Sequence, residues 1–591
     1  MLFSLFLASA LALQPAQGAK PEKAPTVLTR AVPKDAIFLV HLRGLDSLRA
    51  DFEAGAWYGF YQDDEMKGLR GWLAKEIAEK EGEKKEGALD LDPWAVVQSL
   101  HGSVAMFGVV KPTKKEPSIG ILIDPGEPRA PFDAVVAKIT DHWKKTRTPA
   151  AEDYSGVAMQ LFEKKAGAED SASKADKMEH SALFDVAGTT CIVVADSREE
   201  LVETAHGLVD RIRGKDSAGS IEGSALFTEA RASATKTGRF EAFGDFSKVV
   251  QTAREEAGKD EKSAKVMDAL GVDGLRWMYA TGDLGKGEAI TLDVTAKIPE
   301  KGYLHDWAGF LGKVARETAA KAPRDSAAIS LYQFDVWGMW QSAWKFFAEI
   351  DAAGAEKAKE AMNSGLDQYS AGDLEKDLVA QLDGRFMTFN VAIPASEWTA
   401  QFGAATKGAD NKSGAAGLGS ATLVGLHDAQ VVGEFLDEIL KGIGMSEMVK
   451  TEEVQGTTVH SFSMGPGIAM QWAFTKNAAI FAQFPTAMHE ALRMQTAEKK
   501  DSALEKEAFK PLFDAHADAS VLSLAATPET FKMALAAFKQ MSGMLAGVTG
   551  GADSPLRYLP SPESVDRHFK GTMVSAVSRS GGVLHVQFYS R

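Results

Sequence analysis

The nearest approach to a metal site in this chain is Asp514-Ala-His516-Ala-Asp518. On a strand the three side chains would point one way, offering hard oxygens and an imidazole to Zn²⁺ or Mn²⁺. On a helix successive members diverge by about 200°, and only Asp514 and Asp518 share a face. The context FKPLFDAHADAS reads as the end of a short helix running into a loop, and the matching TEARASATK of the first half has no such triplet. No metal or other cofactor is therefore expected.

Other reactive patterns are weaker. Ser171-Ala-Ser-Lys174 has Ser-x-x-Lys spacing but lacks the partner motifs of penicillin-recognising enzymes, and it lies in a polar insert. GDLGKGE (Gly282 to Glu288) has the wrong spacing for a phosphate loop and reads as a hairpin turn. There is no His-Glu-x-x-His, no Cys-x-x-Cys and no Gly-x-Ser-x-Gly elbow. None of the other histidines has an acid at a spacing that by itself suggests general acid–base work; His41, His460 and His585 are expected in strands, exposed or hydrogen-bonded. A site assembled from distant residues stays open.

WGMWQSAWKFFAEI is the most unusual local feature. Trp337, Trp340, Trp344 and Phe347 fall on one face of a helix. Two readings stay open: an aromatic face packed on the second sheet, with Leu45, Leu48 and Phe52 as the first half's counterpart, or a wall of an apolar pocket or docking face. TPETFKMALAAFKQMSGML (Thr527 to Leu545) predicts a helix with Thr527 as N-cap and a methionine-rich apolar stripe suited to core packing.

The elements that must position these residues repeat. VPKDAIFLVHL (Val32 to Leu42) has the design of APRDSAAISLY (Ala322 to Tyr332). Further pairs follow in the same order. VVQSLHGSVAMFGVV matches LVAQLDGRFMTFNVA, and SIGILIDP matches ATLVGLHDAQ. EDYSGVAMQLFE matches EEVQGTTVHSFS, with Gly156 against Gly456. Strand pairs with tight turns at Ala187-Gly188 and Lys476-Asn477 come next, then helices, then closing hairpins. The expected fold is α+β: a tandem duplication, residues 25–300 and 320–591, each copy a mainly antiparallel sheet with helices packed on one face.

The pattern resembles a family of uncharacterised bacterial exported proteins. In them a unit opens on a Val/Ala-Pro-x-Asp strand (Val32 to Asp35, Ala322 to Asp325), continues through Leu-x-Gly (Leu100 to Gly102, Leu382 to Gly384) and reaches an acidic stretch ending x-Gly-x-x-hydrophobic (Tyr154 to Gly156, Val454 to Gly456). The resemblance covers nearly the whole chain after its N-terminal segment. It implies fold and envelope location, with no catalytic residues.

Composition agrees. The chain has 591 residues, 45% hydrophobic and 25% charged, which suits a folded protein of more than one domain. A formal charge of −15 disfavours nucleic acid and anionic lipid as partners. Leu2 to Leu13 is an apolar run too short to span a bilayer, and Ala16-Gln17-Gly18 follows it. Residues 1–18 therefore read as a signal peptide cleaved after Gly18, although no Lys or Arg precedes the run. No later segment looks transmembrane. The single cysteine, Cys191, reads as a buried strand residue. The expectation is a periplasmic or secreted envelope protein acting as a non-enzymatic binding or structural module, its partner an unknown envelope protein or apolar ligand. The alternatives are a carrier of a lipid or other apolar ligand using Trp337, Trp340 and Trp344, and an envelope hydrolase.

Overall fold

The computed structural model describes residues 28–82, 93–110, 118–164, 179–258, 260–285, 290–367, 372–394, 396–397, 415–463, 469–535 and 558–591. The signal-peptide reading, the Ser171–Lys174 insert and part of the Thr527–Leu545 stretch lie outside them. Contacts divide the chain into two units. The first runs to Tyr61 and continues through Leu73–Ala253 and Leu275–Lys297; the second holds Gln62–Trp72, Arg254–Gly274 and Ile298–Arg591. Two segments from before residue 275 thus belong with the second unit, contrary to the expected division at residues 300–320.

In the first unit ten strands form an antiparallel sheet: β1 (Ala36–Leu42), β2 (Ser103–Val109), β3 (Ser118–Asp124), β4 (Arg147–Tyr154), β5 (Val157–Lys164), β6 (His180–Val186), β7 (Thr189–Ala195), β8 (Phe240–Asp245), β9 (Trp277–Leu284) and β10 (Ile290–Lys297). Their order across the sheet is β4-β5-β6-β7-β3-β2-β1-β8-β9-β10. The helices that matter below are α1 (Leu45–Glu53), α2 (Ala130–Thr146), α3 (Arg198–Ile212) and α4 (Ala225–Ser233). Ser197 caps α3 by accepting from the Glu200 N–H, as its spacing predicts.

The second unit has β11 (Ala328–Gln333), β12 (Leu382–Pro394), β13 (Ala415–Leu426), β14 (Lys450–Val454), β15 (Thr457–Ser463), β16 (Ala469–Thr475), β17 (Ala478–Ala482), β18 (Val521–Ala526), β19 (Thr572–Ser580) and β20 (Val583–Ser590). Their order is β14-β15-β16-β17-β13-β12-β11-β18-β19-β20, again all antiparallel. Its helices include α5 (Tyr303–Gly309), α6 (Val336–Ile350), α7 (Ala352–Asp367), α8 (Ala429–Gly442), α9 (Pro485–Thr496), α10 (Lys510–Ala515) and α11 (Pro562–His568).

The α+β class stands, but the placement of helices on one face does not. In the second unit Ile329, Leu331, Met387, Phe389, Leu423 and Ile480 pack with residues of α9 and α10. The opposite face, through Val424, Ala479 and Phe481, packs with Ala429 and Val432 of α8. The first unit does the same: Val104, Ile121, Ile123 and Ile192 meet Leu45 of α1 and Phe132 and Val136 of α2. The reason is in the strands. Central strands such as SIGILID are apolar at both parities and must be covered twice.

The Pro-x-Asp openings act locally in each unit. Pro33 bridges Ser220 and Pro323 bridges Ser502. The Lys34 N–H donates to Gly219 O (2.7 Å) and the Arg324 N–H to Asp501 O (2.8 Å). The proline fixes the chain direction into the first strand, and the next N–H pins it to the segment after the α3 or α9 helix. Where a strand pair turns, Ser155-Gly156 and Gln455-Gly456 both have positive φ (55° and 74°; 55° and 76°), the conformation of a two-residue turn that matches strand twist.

Candidate functional site

The proposed metal triplet does not converge. Asp514 lies in the last turn of α10 and pairs with Arg316, Asp518 pairs with Lys313, and His516 Nε2 meets the Tyr589 hydroxyl at 2.7 Å. Among the described residues no group of three metal-binding side chains is arranged to hold an ion. Thr527 is also not a side-chain cap: it lies inside a helical turn, and its buried Oγ1 has no hydrogen-bond partner.

The aromatic residues do come together. Asp335 caps α6 by accepting from the Gly338 N–H (2.8 Å). One side of the helix is anchored: Ser342 Oγ donates to Asp306 Oδ2 (3.2 Å), and the Phe346 ring sits 4.9 Å from Tyr303 of α5. The other side carries the stripe. Trp340 and Trp344 are half-buried and meet edge to face at 5.7 Å, and Trp344 meets Phe347 at 6.3 Å. Trp340 Nε1 donates to Glu375 Oε1 (3.2 Å), whose Oε2 faces Lys359 of α7 at 2.9 Å. Trp337 and Phe347 remain 40% and 54% exposed. The stripe is thus not laid on the sheet as a closed core. It is an aromatic ridge, held from behind and open in front.

Sequence reasoning missed a buried ionisable cluster in the first unit. His41 of β1 lies opposite Glu241 of β8, Glu241 opposite Thr281 of β9, and Thr281 opposite Asp293 of β10. All four are at most 4% exposed. Arg231, at the end of α4, grips Glu241 with Nε and Nη2 (2.7 and 3.0 Å), and the Tyr279 hydroxyl donates to it at 2.7 Å. Burial pushes the Glu241 carboxyl up, but the contacts with His41, Arg231 and Tyr279 outweigh it and hold the group down at about 2. Burial and the Glu241 charge push the Tyr279 phenol far upward. His41 is therefore neither exposed nor hydrogen-bonded, as its strand position suggested: it is 1% exposed and neither ring nitrogen has a hydrogen-bond partner.

Other histidines join distant acids. His206 Nε2 lies 2.6 Å from Glu152 Oε1, its ring stacks on Tyr154 at 3.7 Å, and the Tyr154 hydroxyl donates to Asp210 Oδ2 (2.8 Å). In the second unit His568 Nε2 lies 2.9 Å from Asp63 Oδ2, which Arg567 also holds. These pairs clamp one segment onto another. No local spacing signals them, because the partners are 54 and 505 positions apart.

A cavity of about 500 Å³ in the second unit is lined by Arg324, Asp325, Arg493, Asp501, Lys506 and Glu507. Lys506 Nζ donates to Ser326 O (2.8 Å) and lies 4.7 Å from the Phe509 ring, and its burial draws its pKa down. Equal numbers of cations and carboxylates leave this cavity without a preference for either charge.

Among the described residues no helix is long and apolar enough to cross a membrane. Set against family models, curated proteins and solved structures, the chain matches none.

Proposed function

We propose that this chain is an exported bacterial envelope protein that works by binding, and that the α6 ridge is its contact surface. The observation that carries the reading is the ridge itself. A helix that buries Ser342 and half-buries Phe346 leaves Trp337 and Phe347 largely in solvent beside two half-buried indoles. Contiguous exposed aromatic surface on a folded protein marks a place of interaction. The histidine–acid pairs support a non-enzymatic reading, since each is engaged in joining segments. A lipid carrier would enclose Trp340 and Trp344 in an apolar cavity, whereas Trp340 is tied to Glu375 and the ridge faces outward.

The two units descend from one duplicated ancestor. Their strand orders agree strand for strand, their Pro-Ser bridges agree, and counting from those bridges aligns Arg211 with Arg493. Each of these arginines feels the aspartate of its own Pro-x-Asp opening, Asp35 or Asp325.

The test is export followed by co-sedimentation. Expressed with its own N-terminal segment, the chain is expected to begin at Ala19 and to pellet with purified cell envelopes. Trp337→Ala with Trp344→Ala is expected to leave it in the supernatant while its circular dichroism shows it still folded, with a lowered melting temperature from the lost Trp340 and Phe347 ring contacts. Equal pelleting of the folded double variant would refute the reading.

A further inference from the structure

Independently of the ridge, we infer that the cavity in the second unit binds a small zwitterion, an amino acid or short peptide whose ammonium meets Asp325 and Asp501 and whose carboxylate meets Arg324. The six charged residues that line it surround about 500 Å³, within the size range of small-molecule sites. A lining of matched charge is indifferent to net charge, but it is complementary to a ligand that carries both signs.

The lining divides into charges already engaged and charges left open. Arg493 Nε and Nη2 both donate to Glu490 Oε2 (2.9 and 2.7 Å), and Lys506 Nζ donates to Ser326 O. Among the described residues, the side chains of Arg324, Asp325, Asp501 and Glu507 make no hydrogen bond or ion pair. Asp325 and Asp501 act on Arg493 only through space. Carboxylates that share a space repel each other, and an ammonium with its three donors relieves both. The open guanidinium offers a carboxylate two parallel N–H groups. The acids are not arranged to hold a metal ion, which leaves an organic cation as their partner.

The fold does not ask for these charges. In both units the bridging serine, Ser220 or Ser502, leads into a short 3₁₀ turn (Ile221–Gly223, Ala503–Glu505). The Lys34 N–H reaches Gly219 O where the Arg324 N–H reaches Asp501 O. Gly219 thus stands in place of Asp501, and after the turn Ser224 and Ala225 stand in place of Lys506 and Glu507. Ser224 serves there as a helix cap, accepting from the Phe227 N–H. The second unit adds three charged residues around one cavity, and the first unit makes the same turn with none of them.

The experiment is calorimetric titration of the full chain with alanine, dialanine, cadaverine and succinate, then with the N-acetyl and amide forms of the tighter of the first two. Alanine or dialanine is expected to saturate the protein, and cadaverine and succinate are not. Acetylation and amidation should each weaken binding by about tenfold. A tighter alanine assigns the site to free amino acids and a tighter dialanine to peptides, and either supports the inference. Asp501→Gly should weaken the unmodified ligand by about tenfold and abolish the penalty of acetylation. Arg324→Gln should weaken it similarly and abolish the penalty of amidation. Lys34→Gln, at the first unit's counterpart of Arg324, should change neither, and circular dichroism should show every variant folded. No saturable binding of alanine or dialanine, equal binding of cadaverine or succinate, or a penalty that survives its own substitution would overturn the inference.

Discussion

His41 Nδ1 lies 3.6 Å from Glu241 Oε2, both side chains almost wholly out of water, at the register positions that Leu331 and Leu522 fill in the second unit. The substitution extends along the sheet. Tyr279 stands where the second unit has Val574, and Thr281 where it has Ala576. The same strand order thus closes over apolar side chains in one unit and over a paired charge cluster in the other. The cluster is not required by the fold. A buried ion pair is at best weakly stabilising against an apolar replacement of similar volume, but breaking it strands a charge.

Glu241→Ala should therefore destabilise the first unit by about 3 kcal/mol, the lower end of the range for a broken buried pair because Arg231 keeps 34% of its side chain in solvent. Carrying in the second unit's residues, with His41→Leu, Glu241→Leu and Tyr279→Val together with Arg231→Ala, should cost far less. Urea unfolding of both variants checks this. A combined variant less stable than Glu241→Ala would contradict it.

Acid should weaken the first unit through the same carboxylate. Glu241 is held at about 2 in the folded chain, against an ordinary 4.5. The unfolded chain thus takes up the proton first. The stabilisation is complete above about pH 4.5 and is lost as pH falls toward 2. The urea midpoint should fall more steeply across this window in the wild type than in the combined variant. Parallel slopes would remove Glu241 as the cause.

Much of this architecture was legible in the sequence, and the reasons are local. The Ala187-Gly188 turn and the Ser197 cap each act within a few residues, so type and spacing reveal them, whereas Pro33 and Pro323 were visible only as a repeated motif and their partners Ser220 and Ser502 were not. The second covered face was less visible, because an apolar run such as SIGILID does not say how many layers meet it. The Glu241 cluster was not legible at all. His41, Arg231, Glu241 and Tyr279 sit on four separate elements, and only strand register brings them together. The tryptophan spacing did reveal a helix face, but exposure depends on what α5 and α7 leave uncovered.

The matched turns give a local test of backbone strain. A Cβ at Gly156 or Gly456 would meet nothing within 4 Å, yet φ is +74° and +76°. Gly156→Ala and Gly456→Ala should each cost about 1 kcal/mol, from the left-handed backbone alone. Thermal unfolding reads this directly, and a neutral result at both sites would contradict the turn assignment.

Cys191 is fully buried in β7, and burial pushes its thiol well above the ordinary range. The folded protein should resist thiol reagents at neutral pH and react with one equivalent only in denaturant. Rapid labelling of native protein would contradict the packing of this strand.

The most direct measurement of the binding account is oxidative footprinting of the chain on purified envelopes. Trp337 and Phe347 should lose most of their reactivity when the protein is bound, while Trp307 keeps its own. Unchanged oxidation of Trp337 and Phe347 in envelope-bound protein would place the contact elsewhere and contradict the account.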